Sequence, residues 1–171
     1  MPSVTTSPAF RYWGFGFMPM PTPGGVPVVM TSPGSSVMYF DVSERDFQLK
    51  KSASQWNKGK GCDTFGPLGP WLVTTDEIKD PQNLDMWLDV NGVRKQTGNT
   101  KTMIFTIAEL VADVSKYMTL LPGDVVTTGT PPGVGMGMKP QQWLKAGDVI
   151  TLAIQGLGEQ KQKVVPFKGK R

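Results

Sequence analysis

One short stretch does most to limit what this chain can become. From Leu84 to Val90, apolar Leu84, Met86, Leu88 and Val90 alternate with Asp85, Trp87 and Asp89. Successive side chains of a strand point to opposite faces, so a period of two marks a strand with one buried face. Asn91-Gly92 follows, the preferred pair for a type I′ hairpin turn, and Val93-Arg94-Lys95-Gln96 returns as the second strand. Two later segments read alike: Leu120–Thr127 is LLPGDVVT and Leu144–Thr151 is LKAGDVIT. Each is a Gly-Asp turn leading into a β-branched strand. Gly156-Leu157-Gly158 turns the second of these back into Gln160–Val165. Trp71 to Val73 is expected to begin another short buried strand, after a loop punctuated by Gly66-Pro67 and Gly69-Pro70. A single good helix is expected from Thr106 to about Leu120. Thr106 and Glu109 have the spacing of a capping box, Leu110, Val111, Val114 and Met118 make a core face, and Leu121-Pro122-Gly123 stops it. The fold class is therefore α+β and mostly β, with one main helix.

The chain has 171 residues, 39% of them hydrophobic, enough for one domain with a core. Residues 1–37 stand apart. They hold seven of the fifteen prolines, and Arg11 is the only charged side chain before Asp41. They read as a Pro/Gly-rich, poorly ordered leader, followed by a folded body over 38–167 and a frayed tail over 168–171. No basic segment precedes an apolar core at the N-terminus, and no apolar run approaches a membrane span. A lone cysteine, Cys62, excludes an intramolecular disulfide and suits a reducing compartment such as the cytoplasm. It reads as a small packing residue. The net charge of +4 comes from dispersed lysines and arginines, without a basic stripe or interleaved aromatics, which argues against nucleic acid. Histidine is absent, which removes His-based triads, His metal ligands and the commonest general base.

The densest polar chemistry lies between Asp41 and Pro70, DVSERDFQLKKSASQWNKGKGCDTFGPLGP. Asp41 leaves an apolar strand end, Val37-Met38-Tyr39-Phe40, where a carboxylate can hold a hard cation or, with Ser43, cap the next turn. Arg45 can bind a carboxylate in bidentate fashion or form a structural ion pair with Asp46. Gln48 can donate to a substrate oxygen or lie at the surface. Lys60, between Gly59 and Gly61, can neutralise an enolate or oxyanion, or be solvated in a loop. Further on, Thr127-Thr128-Gly129-Thr130-Pro131-Pro132-Gly133-Val134-Gly135 offers hydroxyls and backbone N–H groups to an anion, or is a rigid turn. Met136 and Met138 can line a site with adaptable thioethers.

Four segments in order carry a family resemblance: Asp41 to Gln48, Gly59 to Pro70, Asn99 to Phe105, and Leu121 to Gly135. Together they resemble the fumarylacetoacetate hydrolase family over about Tyr39 to Val165. The stretch Gly133–Lys139, with Trp143-Leu144-Lys145 and Gly156 to Lys161, looks most like members acting on diketo sugar acids or named ureidoglycolate lyases. The resemblance implies a mixed β-roll of the fumarylacetoacetase C-terminal type over 38–167, in a homodimer. It implies a small oxo-acid substrate chelated by Mg²⁺ or Mn²⁺, with hydrolysis of a C–C bond in a β-diketo acid or a ureidoglycolate-type lyase reaction. By motif, Asp41 matches the metal-binding aspartate, Arg45 and Gln48 residues bordering the substrate, Lys60 the lysine that stabilises the enolate, and Thr130 the threonine that contacts the substrate carboxylate.

The departures set a second expectation. The family pairs its aspartate with an upstream Glu-x-Glu and uses a His–Glu dyad to activate water. Here no glutamate precedes Asp41 and histidine is absent. The chain reads as the C-terminal portion of a member, an incomplete roll with an unrelated leader in place of the metal-binding half. Weak metal binding and little turnover are expected from an enzyme of this kind. The alternative is a non-catalytic fragment or partner subunit that retains the scaffold.

Overall fold

A computed structural model describes residues 2–4, 28–31, 35–51, 53 and 55–167. The strands in chain order are β1 (Pro2–Val4), β2 (Val28–Thr31), β3 (Ser35–Tyr39), β4 (Leu68–Thr74), β5 (Asp85–Val90), β6 (Val93–Asn99), β7 (Val125–Thr127), β8 (Val149–Ile154) and β9 (Gly158–Pro166). They form two sheets, ordered β1-β9-β8-β5-β6 and β4-β3-β2-β7, in which every ladder is antiparallel. Among the described residues, two α-helices, α1 (Trp56–Lys60) and α2 (Ile107–Val114), a π-helical turn at Asp46–Lys50 and 3-10 turns at Thr100–Thr102 and Gly135–Gly137 complete the body. The α+β, mostly β architecture is the one expected. Within the leader expected over 1–37, β1, β2 and the start of β3 are strands. The remainder of that segment and the 168–171 tail lie outside the described residues.

The hairpin forms as its sequence dictates. Asn91 and Gly92 take φ of 52° and 76°, the left-handed pair a type I′ turn requires. Met86 and Leu88 are buried on one face, while Arg94 lies over the Trp87 ring on the other, 4.5 Å from its centroid. The two Gly-Asp turns are also alike in detail. Asp124 Oδ2 accepts from Leu121 N at 2.7 Å, and Asp148 Oδ2 accepts from Lys145 N at 2.7 Å. One turn feeds β7 in the four-stranded sheet, the other β8 in the five-stranded sheet.

The core lies where the two sheets meet. Met38 and Phe40, on and just after β3, join Leu88, Ile150, Leu152, Ile154, Leu157 and Val164 in one buried cluster. Removing each such side chain from water stabilises the fold by about 1.5–3 kcal/mol. Gln160 is buried among them, and its Nε2 donates to the Met38 carbonyl at 3.2 Å, tying the sheets together by a polar contact.

Two expectations need correction. The helix is shorter than its apolar period suggests, ending at Val114 rather than near Leu120. Beyond Val114 the backbone tightens into i→i−3 bonds, Lys116 N to the Asp113 carbonyl and Tyr117 N to the Val114 carbonyl at 3.1 Å each, and Tyr117 is exposed. The Thr106–Glu109 capping box is present at the N-terminus. Trp71 and Leu72 on β4 are also more than half exposed, so only Val73 of that trio is buried.

Candidate active site

Chain geometry brings the Asp41–Pro70 segment back on itself. β3 runs out at Tyr39, and Phe40 N donates to the Pro67 carbonyl at 3.0 Å, which fixes where Asp41 emerges. The π-helical turn then forms, with Lys51 N bonded to the Asp46 carbonyl at 2.8 Å. Glu44 clasps both neighbours: its N–H donates to the Gly59 carbonyl at 2.8 Å, and its Oε2 accepts from Phe47 N at 2.6 Å. α1 packs so tightly here that only glycine fits at 59. A Cβ on Gly59 would stand 2.5 Å from Gln48 Cβ and 2.7 Å from the Glu44 carbonyl oxygen. This close approach carries the next residue, Lys60, onto Asp41.

Lys60 Nζ and Asp41 Oδ1 form an ion pair with side chains only 26% and 25% exposed. Burial lowers the Lys60 pKa below its ordinary value; the nearby Asp41 opposes that shift and Arg45 adds to it. Burial likewise lowers the Arg45 pKa, with Asp41 opposing. Arg45 Nη1 donates to Gln48 Oε1, and Gln48 is fully buried beneath it. Asp46 is turned to solvent and pairs with Lys50 at 2.9 Å, so it is Lys50, not Arg45, that balances it. Burial, with Glu44 and Asp63, raises the Cys62 pKa, the reverse of what activates a thiol.

Asp41 and Arg45 lie on the wall of a cleft of about 720 Å³. Its apolar floor comes from Phe40, Phe65, Leu88, Ile150 and Val164, and Met136, Met138 and Trp143 line it further out. Ser43, Lys95, Gln96 and Gln142 add polar atoms. Lys60, Gln48 and Thr130 are not on that wall, but each is bonded to a residue that is: Lys60 to Asp41, Gln48 to Arg45, and Thr130 Oγ1 to Gln96 Nε2 at 3.1 Å. Two glycines let the Thr127–Gly135 loop pack against the β6 backbone and against its own continuation. A Cβ on Gly133 would stand 2.0 Å from the Lys95 carbonyl oxygen, and one on Gly135 1.9 Å from that of Gln142.

Sequence reasoning missed Gln96 as a site residue. A signal was available: Gln96 pairs with Leu88 across the hairpin, so it occupies a buried-face position that apolar residues normally take. The donor set offers little to a hard cation, which takes six or more oxygens. Among the described residues, no three Asp, Glu or Cys side chains converge to hold a metal ion, and Asp41 is already engaged by Lys60. These residues do not by themselves fit Mg²⁺ or Mn²⁺. Among them, too, no helix is long and apolar enough to cross a membrane.

Residues 36–165 match the fumarylacetoacetate (FAA) hydrolase C-terminal family. A protein of Burkholderia multivorans named "Putative hydrolase" is 64% identical over 123 residues, 71% of this chain and 43% of that protein. A Burkholderia ambifaria relative of the same name is 65% identical over 123 residues, again 71% of this chain and 43% of its own length. The chain thus spans less than half the length of these curated relatives. Among solved structures, the fumarylacetoacetate hydrolase of psychrophilic Exiguobacterium antarcticum superposes with a TM-score of 0.76 at 35% identity, over 85% of this chain and 56% of that one. A 2-hydroxyhepta-2,4-diene-1,7-dioate isomerase of Mycobacterium marinum gives a TM-score of 0.68 at 34% identity, over 86% and 59%. With a family match across most of its length and a shared fold, the chain belongs to the fumarylacetoacetate hydrolase family.

Proposed function

We propose that the cleft binds a small oxo-acid and that the chain is a hydrolase or lyase of its family. The reaction would be C–C bond hydrolysis of a β-diketo acid, or a ureidoglycolate-type lyase step. One observation carries this reading: the partly buried Arg45 guanidinium and the Asp41 carboxylate, itself paired with Lys60, stand on the wall of a cleft with an apolar floor. Arg45 presents a planar fork suited to a substrate carboxylate, with Gln48 holding its orientation. Lys60, desolvated beside Asp41, supplies positive charge where an enolate would develop, and charge stabilisation is strongest at such a site. Thr130 acts through Gln96 or directly on the substrate carboxylate. The homodimer, and a cytoplasmic location consistent with the single Cys62, belong to the same proposal.

Asp41 is the residue that would hold a divalent cation, Mg²⁺ or Mn²⁺. A cation bound by Asp41 must compete with Lys60 for the carboxylate, so weak binding and little turnover follow. Calorimetric titration of Mg²⁺ and Mn²⁺, with an acylpyruvate hydrolysis assay, tests this. Affinity much weaker than micromolar with slight turnover is expected; micromolar binding with brisk hydrolysis contradicts it.

A second reading, a non-catalytic partner that keeps the scaffold, is favoured by the same engagement of Asp41. Sedimentation with a longer family member distinguishes it: a monodisperse complex supports the partner role, and non-specific aggregation opposes it.

A further inference from the structure

The cleft holds more room and more exposed carbon than a small oxo-acid uses. Its volume of about 720 Å³ lies in the range that encloses drug-sized ligands. Arg45 can engage a carboxylate, and most of the cleft is then left to be filled. Of the large apolar side chains left exposed among the described residues, Leu49 and Trp143 are the two that line it, at 37% and 49% exposed. Half-buried Met136 and Met138 line it too, from the same loop as Trp143. That loop is pinned. Gln142 N donates to the Gly135 carbonyl at 2.9 Å, Gln141 Nε2 to the Met136 carbonyl at 3.1 Å, and Lys95 Nζ, from β6, to Gln142 Oε1 at 2.9 Å.

An indole on a pinned loop, half in water, is a surface already ordered for a ligand to cover, and apolar patches within a cleft mark ligand sites. The three side chains also favour one kind of group. An indole stacks on or meets the edge of another ring, and a thioether sulfur makes favourable contacts with ring edges. We infer that the oxo-acid this cleft takes carries an aromatic ring at the end away from its carboxylate, seated on Trp143 with Met136 and Met138 while Arg45 holds the carboxylate. The inference rests on the oxo-acid reading of the cleft and names the part of the substrate that reading leaves open. Trp143 is then a specificity-determining residue, since it touches the ring and no reacting atom.

Three β-diketo acids that differ only at the acyl end test this by calorimetry: benzoylpyruvate, its cyclohexyl analogue and acetylpyruvate. The wild-type protein is expected to bind benzoylpyruvate roughly 10- to 100-fold more tightly than acetylpyruvate, because the ring's apolar area leaves water. The cyclohexyl acid should fall between them, since it gains area but not ring contacts. In Trp143→Ala the benzoyl preference should shrink by about tenfold, with acetylpyruvate little changed, and Trp143→Phe should restore most of it. A preference that survives Trp143→Ala overturns the inference, because the ring then lies elsewhere. Cyclohexyl binding as tight as benzoyl overturns the aromatic assignment. Equal affinity of the wild type for benzoylpyruvate and acetylpyruvate overturns the inference and leaves the oxo-acid reading standing. Binding of none of the acids overturns both. Should Trp143→Ala fail to fold, the wild-type order of the three acids decides.

Discussion

The buried face of the five-stranded sheet and the Asp41–Lys60 segment are held together by opposite means. On the sheet, Leu88, Ile150, Leu152 and Ile154 are apolar, lie at period two and need no specific partner. In the polar segment every contact is particular. Lys60 meets Asp41, Arg45 meets Gln48, Glu44 meets Phe47 N, and Gly59 is the one residue small enough to let them meet. The first region adds stability in proportion to area removed from water. The second removes charged groups from water, which lowers the pKa of both Lys60 and Arg45 and so opposes folding. A segment that works against the fold yet sits on the wall of its cleft is where function is best sought.

The largest break in this contrast comes from the sheet. Leu152→Ala removes a fully buried side chain and is expected to lower stability by about 2–5 kcal/mol, read from the urea midpoint. A change under about 1 kcal/mol would mean the sheet face is not the core. Next is Gly59→Ala, which forces a methyl against Gln48 and Glu44. It should reduce stability by about 1–3 kcal/mol and also weaken oxo-acid binding, because Lys60 can no longer reach Asp41. Loss of stability with binding intact would separate the packing of α1 from the site.

The smallest effect is on pH dependence. Burial puts the folded-state pKa of Lys60 below its ordinary 10.5, so the folded protein carries the penalty of a desolvated ammonium at any lower pH. Above the folded pKa and below 10.5 the unfolded chain holds more protons, and Lys60 therefore adds stability as pH rises through that window. In Lys60→Met this rise should shrink, measured as the difference in urea midpoint between wild type and variant across the alkaline range. An unchanged slope would place Lys60 in water.

The sheet region was legible because its signal is local. Alternation from Leu84 to Val90, Asn91-Gly92 and the two Gly-Asp turns each specify backbone within a few residues, and all appear as read. The helix boundary failed because the chain beyond Val114 turns through i→i−3 bonds, a choice the apolar period of Val114 and Met118 does not record. The polar segment was legible as chemistry but not as geometry. Asp41 and Lys60 are 19 residues apart, and nothing in their spacing shows that they pair rather than act separately. Gln96 went unnoticed because its meaning depends on its neighbour across the hairpin, Leu88, and on Pro131 from a distant loop.

The most direct test of the cleft as an oxo-acid site is calorimetric titration of acetylpyruvate into the wild-type protein and into Arg45→Met. Measurable binding by the wild type and an affinity lower by about tenfold or more in the variant are predicted, since a charged hydrogen-bonding partner of the carboxylate is lost. Equal binding by the two proteins, or none by the wild type, would contradict it.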